Sequence, residues 1–288
     1  MQVYLDGRVV DASRARVSVF DRGILFGDGV FESMRALHGR VFRLDRHLAR
    51  LRQSAALIDL TLPLSEDACR AAIDWVLRAN DLRDARLRLT VTRGPGCPGD
   101  YVATTGPPTT VITAAPFRPL DPNLQRRGVP VVISSRRVIP AAAIDPAIKS
   151  ISRLASVLAR REASQSGAFE ALMLNADGCL VEGTASNLFL VAEGALSTPA
   201  LAEGGLQGVT REAVLELADQ AGLHTVEERV PAVRLATATE AFLTNTSWGV
   251  LPIATVDGQP IGGGSSGPVG RMLLQAYHAL LMRETGSE

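Results

Sequence analysis

Residues 169–191 read FEALMLNADGCLVEGTASNLFLV, and this stretch decides the fold predicted for the second half of the chain. The apolar run FEALML leads into the turn NADG, whose Asp177-Gly178 dipeptide is typical of a tight hairpin. CLVEG and NLFLV predict two further strands, so the stretch forms an antiparallel run. Glu182 ends the middle strand and Asn187 begins the next. Glu182 is either a solvated hairpin end, as glutamates usually are, or a functional carboxylate with a partner.

The patterns on either side of this stretch predict helices. Upstream, an apolar stripe predicts a helix that stops at Gly167, with the members Ile151, Leu154, Val157 and Leu158. Downstream, Gly208 opens a second helix that ends by Gly222. The last predicted helix has a core face made of Met272, Leu273, Ala276, Tyr277 and Leu280.

The first part of the chain predicts a mixture of strands and helices. In VYLDGRVV, Asp6-Gly7 between apolar pairs indicates a tight hairpin. Asp45 is predicted to cap a helix with an apolar face of Leu44, Leu48, Leu51 and Ala55. Ser65 is predicted to cap the next helix. Further strands are predicted around residues 87–91, 109–115 and 129–134.

A proline-rich stretch divides the chain. Residues 116–128, PFRPLDPNLQRRG, carry three prolines and little apolar periodicity, which is typical of a connection between domains. We therefore predict a small mixed α/β domain at 1–116, a linker at 117–127 and a larger C-terminal domain at 128–288. The larger domain is predicted to carry Lys149.

Composition excludes several classes of protein. The chain has 46% apolar and 21% charged residues and a formal net charge of zero, so neither nucleic acid nor a membrane is expected as a partner. The three cysteines form neither a disulfide framework nor a metal knuckle, and no leader sequence is evident, which together predict a cytoplasmic protein. The four histidines lie outside any HExxH motif, so no metal site is expected. The GxSxG match, GGSSG at 263–267, belongs to the Gly/Ser stretch 262–270, which is predicted to be a flexible turn, so a serine hydrolase is not expected either.

Lysine usage indicates a reactive amine. Of the 30 basic residues only Lys149 is a lysine, and the others are arginines. Arginine supplies charge but stays protonated, whereas a lysine amine can lose its proton and form a Schiff base. Lys149 is therefore either the last exposed lysine of an arginine-rich surface or a chemically required amine.

Two later segments carry hydrogen-bond donors. Of these, only LQGVTREAV is a candidate anion site by itself, because the glycine before Thr210 lets backbone N–H groups at a helix start meet a phosphate, although an ordinary helix cap has the same pattern. In FLTNTSWGV, a cluster of hydroxyl side chains follows a strand, which usually indicates a turn.

Taken together, these segments resemble the class IV, fold-type IV, pyridoxal-phosphate-dependent aminotransferases. This family includes branched-chain and D-amino-acid aminotransferases and aminodeoxychorismate lyase. The resemblance runs from about Tyr4 to Tyr277 and depends on DRGILFGDGVFESMRA, RLDRHLARL, AIKSISRLASVLARREA, NADGCLVEGTASNLFLV, LQGVTREAV and FLTNTSWGVLPI, in the family's order. It implies an α/β fold of two domains, in which the larger is a strand-rich pseudo-barrel, and a homodimer.

The resemblance also implies roles for individual residues. Lys149 matches the catalytic lysine that forms a Schiff base with pyridoxal 5'-phosphate. Glu182 matches the glutamate that faces the pyridine nitrogen, and Leu206 matches an apolar residue against the ring. The phosphate is then expected to bind to Arg50, Val209, Thr210 and Thr246.

The residues expected to bind the substrate match the family only in part. Phe31 matches an aromatic residue of the substrate pocket, and the amide of Ser247 matches a group that meets the substrate carboxylate. Pro98 and Asp100 stand where D-amino-acid aminotransferases place an arginine and a histidine. The carboxylate is therefore expected to bind elsewhere, for example at Arg93 or Arg22.

The resemblance implies a ping-pong transfer of an amino group between an amino acid or amine and a 2-oxo acid. The alternative is aminodeoxychorismate lyase, which uses the same cofactor; Glu32 replaces a threonine common in the lyases and favours the transferase. A binding protein or a nicotinamide enzyme is a third reading. It rests only on GDG at 27–29 and the late glycines, which lack the strand-to-helix context of a dinucleotide site.

Overall fold

The computed structural model describes residues 1–286, and the chain divides into two compact units. Unit 1 consists of Met1–Arg118, Ile148–Ser152 and residues 281–286, and unit 2 consists of Pro119–Ala147 and Arg153–Leu280. We call Ile148–Ser152, which contains Lys149, the lysine segment. Lys149 is predicted to lie in the C-terminal domain, but in the structure its segment groups with unit 1.

Unit 1 is built on a six-stranded sheet with the order β2-β1-β6-β5-β3-β4, in which every neighbouring pair is antiparallel. The strands are β1 Gln2–Leu5, β2 Arg8–Asp11, β3 Gly29–Leu37, β4 Arg40–Val41, β5 Ala85–Thr92 and β6 Thr109–Pro116. The predicted hairpin between β1 and β2 is confirmed, with Asp6 and Gly7 at φ 46° and 88°. These positive values suit a two-residue turn that matches the twist of the strands.

Two helices, α2 Leu44–Ala56 and α3 Glu66–Ala79, pack on the sheet of unit 1, and a short helix, α1 Arg22–Phe26, precedes β3. Ser65 caps α3 through a bond from the Ala68 amide, as predicted. Asp45 does not cap α2 as predicted, because the helix begins at Leu44 and the carboxylate lies in its first turn. There it still opposes the positive end of the helix dipole.

The core of unit 1 lies between the sheet and helices α2 and α3. Alternation along the strands buries one set of side chains against the helices, while the helices contribute apolar residues at helical spacing. Its fully buried members include Val30, Met34, Leu51, Ile73, Val76, Leu87, Leu89 and Ile112.

The lysine segment pairs with the start of β3. The Phe31 amide donates to the Lys149 carbonyl at 3.0 Å, and the Ile151 amide donates to the Gly29 carbonyl at 3.0 Å. Val30 and Ser150 form an isolated antiparallel bridge. These backbone bonds explain why five residues distant in sequence group with unit 1.

Unit 2 is dominated by a ten-stranded sheet. Its strands are β7 Val129–Arg137, β8 Glu170–Leu174, β9 Cys179–Gly183, β10 Asn187–Ala192, β11 Ala195–Pro199, β12 Thr225–Glu228, β13 Val230–Pro231, β14 Glu240–Asn245, β15 Gly249–Val256 and β16 Gln259–Pro260. The order contains the path β10-β14-β15-β7-β8-β9, and β9 pairs again with β10. The path therefore closes into a ring of strands, which is the predicted pseudo-barrel.

The helices of unit 2 are α4 Pro122–Arg127, α5 Leu154–Gln165 and α6 Val209–Gln220, with short 3₁₀ helices at Leu201–Glu203 and Ala232–Thr237. The final helix is α7 Pro268–Thr285. Where the sequence analysis predicted a linker at 117–127, α4 forms and the unit boundary follows Arg118. Within residues 1–286, no helix combines the length and the apolarity that crossing a membrane requires.

Helix α5 differs from its predicted pattern. Ile151 lies before the helix, and Leu154 and Val157 are 68% and 51% exposed. The helix instead buries Ala159 and Ala163, which pack with residues of β8 and β9. Small side chains allow the helix to approach the sheet closely, so the apolar stripe did not mark the buried face.

Candidate active site

The backbone of Lys149 is fixed on both sides in unit 1. Its amide donates to the Ser54 hydroxyl on α2 at 3.0 Å, and its carbonyl accepts from the Phe31 amide on β3. Ser54 is completely buried, and Lys149 is half-buried. The lysine side chain therefore starts from a defined point where α2 and β3 meet.

The Phe31 ring lies within reach of two cations. The Lys149 Nζ is 4.9 Å from the ring centroid, and the Arg88 Cζ is 3.8 Å from the same centroid. Phe31 is buried, while Arg88 is exposed on β5. Contacts of cations with an aromatic face stabilise the ring in place. Phe31 thus forms an aromatic wall with an amine and an exposed guanidinium beside it.

A buried ionic cluster is centred on Glu32, which follows Phe31 on β3. Glu32 is completely buried and binds Arg50 bidentately, with Nε to Oε1 and Nη2 to Oε2 both at 2.7 Å. His47 Nδ1 is also 2.7 Å from Glu32 Oε2. Bidentate pairing fixes the plane of a guanidinium as well as its position. Glu32 therefore sets the orientation of Arg50, which lies one helical turn before Ser54 on α2.

The pKa values of this cluster move in defined directions. Burial raises the pKa of Glu32, but the charge and hydrogen bonds of Arg50, together with His47, outweigh burial and lower the pKa to about 2. Burial lowers the pKa of His47, as do the charges of Arg50 and Lys149, against an opposing effect of Glu32. At neutral pH, Glu32 is accordingly a carboxylate, and His47 is a neutral ring that donates its Nδ1 proton.

In unit 2, helix α6 begins without a side-chain cap. Its N-cap is Gly208, and the first-turn residues Val209 and Thr210 are buried. A Cβ added to Gly208 would lie 2.0 Å from the Asn187 Oδ1, so any larger residue here would displace the Asn187 side chain. The first N–H groups of a helix need acceptors, and an anion is a suitable one.

Glu182 sits in a network that joins β9, β10 and the loop before α6. Its Oε2 accepts from the Leu206 amide at 3.0 Å and from the Asn187 side chain at 3.4 Å. The Asn187 amide group also donates to the Leu206 carbonyl at 2.8 Å. These bonds hold the carboxylate in one direction and bring Glu182, Leu206 and the start of α6 together.

Thr246 and Ser247 lie in the turn between β14 and β15. The Ser247 amide donates to the Asn245 Oδ1 at 2.8 Å, and the Trp248 amide donates to the same oxygen at 3.1 Å. The Ser247 amide was predicted to meet the substrate carboxylate, but the turn already uses it. Its hydroxyl and the neighbouring Thr246, both on half-buried residues, are the polar groups that this turn presents.

Arg93 also differs from its predicted role. Its Nε donates to Asp28 at 2.7 Å, its Nη1 to the Asp59 carbonyl at 3.0 Å and its Nη2 to the Ile58 carbonyl at 2.6 Å. Arg22 binds the same Asp28 carboxylate at 3.0 Å. All three nitrogens of Arg93 are occupied because carbonyls after the end of α2 point towards it, so its guanidinium holds a loop together.

Sequence reasoning missed four contributors to the site. Glu32 was considered only as a marker against the lyase, and Asn187 only as the start of a strand. Ser54 and Arg88 were not singled out. The alternation ARLRLTVT on β5 carried the signal for Arg88, because it places an arginine on the face opposite the core. Among residues 1–286, no grouping of three or more histidine, cysteine or acidic side chains could hold a metal ion.

Comparison with known proteins identifies related enzymes. The family model for amino-transferase class IV matches residues 29–256. A protein of Methanocaldococcus jannaschii, provisionally named a branched-chain-amino-acid aminotransferase, is 40% identical over 277 residues, 96% of this chain and 95% of that protein. The D-alanine aminotransferase of Bacillus licheniformis is 34% identical over 286 residues, 99% of each protein. The crystal structure of the Escherichia coli branched-chain amino acid aminotransferase matches with a TM-score of 0.94 at 29% identity, covering 100% of this chain and 96% of that one.

Proposed function

The chain belongs to the class IV aminotransferases, and we propose that it binds pyridoxal 5'-phosphate covalently through Lys149. It is an aminotransferase, which moves an amino group from an amino donor to a 2-oxo acid, and the names of its relatives support this activity over the lyase. The family depends on pyridoxal phosphate. The observation that carries the proposal is that Lys149, the only lysine of the chain, is anchored by Ser54 and Phe31.

The residues present fit this cofactor. Its phosphate needs cationic and N–H donors, and the chain offers a bidentately held Arg50 and the uncapped start of α6 at Val209 and Thr210. Its pyridine nitrogen needs a carboxylate, and Glu182 is held by its own network. Thr246 adds a hydroxyl near the end of β14.

Each of these residues then has a defined task. When bound, pyridoxal phosphate supplies an aldehyde that carries the amino group and a ring that accepts electrons as the substrate Cα proton leaves. Glu182 keeps the ring nitrogen protonated. Lys149 takes the proton from Cα as a neutral amine and returns it, so the same Nζ serves as nucleophile and base.

The substrate is proposed to meet Phe31, Arg88 and the Ser247 hydroxyl. The exposed guanidinium of Arg88 stacks on the ring that also faces the Lys149 amine. A carboxylate of the amino donor or of the 2-oxo acid would find its positive charge there. Because the nitrogens of Arg93 bind Asp28 and two carbonyls, Arg88 replaces Arg93 as the proposed carboxylate ligand.

The activity can be tested directly with protein reconstituted with pyridoxal phosphate. We expect a visible absorption band that disappears when an amino donor is added and returns when a 2-oxo acid is added. A panel of L-amino acids, D-amino acids and amines should identify the donor. If no donor bleaches the band while aminodeoxychorismate yields pyruvate, the lyase replaces the transferase.

We also propose a homodimer. Unit 1 exposes a group of apolar side chains around α1, which we call the α1 patch, and its members are Val19, Phe20, Ile24, Leu25, Phe26, Tyr101 and Val102. The Phe26 and Tyr101 rings lie 4.9 Å apart, so the patch is continuous between two segments. Exposed apolar patches of this kind mark interaction sites, and a second copy of the chain is the proposed occupant.

Cysteine chemistry supports a cytoplasmic location as part of the same proposal. Cys69, Cys97 and Cys179 are all free thiols. Unpaired cysteines are typical of proteins in reducing compartments.

A further inference from the structure

Glu170, the first residue of β8, is a buried carboxylate outside the catalytic set. It is completely buried, and its Oε1 accepts from the Thr184 hydroxyl at 2.6 Å and the Thr184 amide at 3.3 Å. Its Oε2 accepts from the Ser186 hydroxyl at 3.4 Å. The Ala171 amide and Arg160 Nη1 also bind Oε1, at 2.9 and 2.8 Å. A buried carboxylate is costly unless it is paired and hydrogen bonded, and here each partner meets that need.

The partners of Glu170 on the loop side all belong to one turn. Residues 183–186 connect Glu182, the penultimate residue of β9, to Asn187 at the start of β10. The Gly183 amide donates to the Ser186 carbonyl at 2.7 Å, which closes the turn. A Cβ on Gly183 would lie 2.2 Å from the Ser186 Oγ and 3.2 Å from the Glu170 Cγ. The turn is thus folded tightly onto the carboxylate.

Both ends of this turn carry groups of the proposed cofactor site. Glu182 Oε2 accepts from the Asn187 side chain and the Leu206 amide. A shift of the turn would move Glu182 and Asn187 relative to each other, because only residues 183–186 separate them. A buried ion pair is weak evidence for a purely stabilising role, since an apolar replacement is often as stable. The hydrogen bonds from Thr184 and Ser186 instead indicate that Glu170 fixes the geometry of the turn.

We propose that Glu170 is a positioning residue for the aminotransferase reaction. Through the turn 183–186 it holds Glu182 in the direction required by the pyridine nitrogen, without touching the cofactor itself. The proposal rests on the proposed role of Glu182. Small errors in the direction of an electrostatic group lower the rate strongly, so support from a buried carboxylate behind the site affects catalysis as well as folding.

The test uses Glu170→Gln in the holoenzyme. Glutamine has nearly the same shape but lacks the charge, so it no longer accepts from Thr184, Ser186 and Arg160 together. We expect kcat to fall about tenfold, with the KM for the amino donor within about twofold of the wild type. The pH titration of the visible cofactor band should shift in the same direction as in Glu182→Gln, because both changes weaken the interaction at the ring nitrogen.

Glu162 offers a matched control. This carboxylate on α5 also accepts from two serine hydroxyls, Ser134 at 2.6 Å and Ser135 at 2.6 Å, and pairs with Arg136 at 3.1 Å. Its partners belong to β7, and none of them is a residue of the turn 183–186. Glu162→Gln should therefore leave kcat and the pH titration of the band as in the wild type.

Thr184→Val keeps the Glu170 carboxylate and removes its shortest hydroxyl bond. It should reproduce part of the spectral shift, and it serves as the test if Glu170→Gln does not fold. The proposal is overturned if Glu170→Gln and Thr184→Val, or whichever of them folds, have a lower melting temperature but the same kcat and the same pH titration of the band as the Glu162→Gln control. A wild-type kcat and titration in Glu182→Gln would instead contradict the proposed role of Glu182 itself, which is a separate outcome.

Discussion

Glu182 and Asn187 are register partners, and their pairing is the contact that joins β9 to β10 and closes the ring of strands in unit 2. The same two side chains are hydrogen bonded to each other at 3.4 Å. The same pair of residues therefore closes the sheet and positions the proposed cofactor carboxylate. Every strand of a closed ring is hydrogen bonded to a neighbour on both sides, so the ring has no free edge strand. The place where the ring closes is therefore a rigid position for a functional group.

Lys149→Arg should abolish transamination while keeping a positive charge at the position. A guanidinium cannot form the covalent bond to an aldehyde, so turnover should fall at least a thousandfold. Borohydride treatment of the wild-type holoenzyme should add mass to the peptide that contains Lys149 and not to the variant. The chain's other amine, at Met1, provides an internal comparison. Labelling confined to the Met1 peptide would remove Lys149 from its role.

Glu182→Gln should lower kcat by about a hundredfold, because loss of one charged group that stabilises developing charge costs roughly that factor. The measurement is single-turnover decay of the cofactor band after an amino donor is added. Glu203→Gln is the control, since Glu203 is a carboxylate of unit 2 that bonds to Asn175 at 2.7 Å. Equal decay rates in the two variants would show that the carboxylate of Glu182 has no part in the reaction.

Arg88→Gln should raise the KM for a 2-oxo acid about tenfold, since a hydrogen bond to a charged group contributes about 1.5 to 3 kcal/mol. Steady-state kinetics with a fixed amino donor measure the effect. Arg86→Gln changes another exposed arginine of β5, two residues away, and should leave the KM unaltered. If Arg88→Gln and Arg86→Gln change the KM by the same factor, Arg88 contributes only general surface charge and is not the carboxylate ligand.

Glu32 should make folding stability sensitive to acid. Its pKa is lowered to about 2 in the folded protein, so its stabilising effect is full above the ordinary glutamate pKa of about 4.5 and is lost as pH falls towards 2. The loss is on the order of 3 kcal/mol. Urea unfolding of the wild type at pH 6 and pH 3 measures the part of this loss that falls above pH 3, which is about 2 kcal/mol. Glu32→Gln should be less stable at pH 6 and should lose less between the two values.

The proposed homodimer predicts the effect of a charge in the α1 patch. Ile24 is 61% exposed, and Ile24→Asp should shift the protein from dimer to monomer in sedimentation velocity. A charge in the centre of an apolar interface is strongly unfavourable because it loses its water. Val233 of unit 2 is 74% exposed, and Val233→Asp should leave the mass unchanged. A wild-type protein that sediments as a monomer would contradict the proposal.

Much of the fold could be predicted because its signals are local. Turn dipeptides such as Asp6-Gly7 and Asp177-Gly178 fix hairpins within a few residues, and Ser65 marks a helix start by itself. Lys149 stands out in the sequence alone because every other basic residue of the chain is an arginine. These features do not depend on which distant residues they meet.

The remaining features depend on distant contacts. Glu32 binds Arg50 across 18 residues, and Arg93 binds carbonyls 34 and 35 residues away, so neither partner is visible in a sequence window. The buried face of α5 was misjudged because Ala159 and Ala163 carry a weaker apolar signal than Leu154 and Val157. A search for periodic large apolar residues does not detect a helix–sheet contact that is made by small side chains.

The grouping of the lysine segment with unit 1 affects which crossovers between related genes keep the contacts of Lys149 intact. Ile148–Ser152 pairs with β3, although it is encoded well beyond the end of unit 1's main stretch at Arg118. A single crossover near codon 118 would combine one parent's Phe31 and Ser54 with the other parent's Lys149. Exchange between relatives at that point would thus mismatch the amine with its anchors, whereas a single crossover placed after codon 152 instead would keep all three residues from one parent.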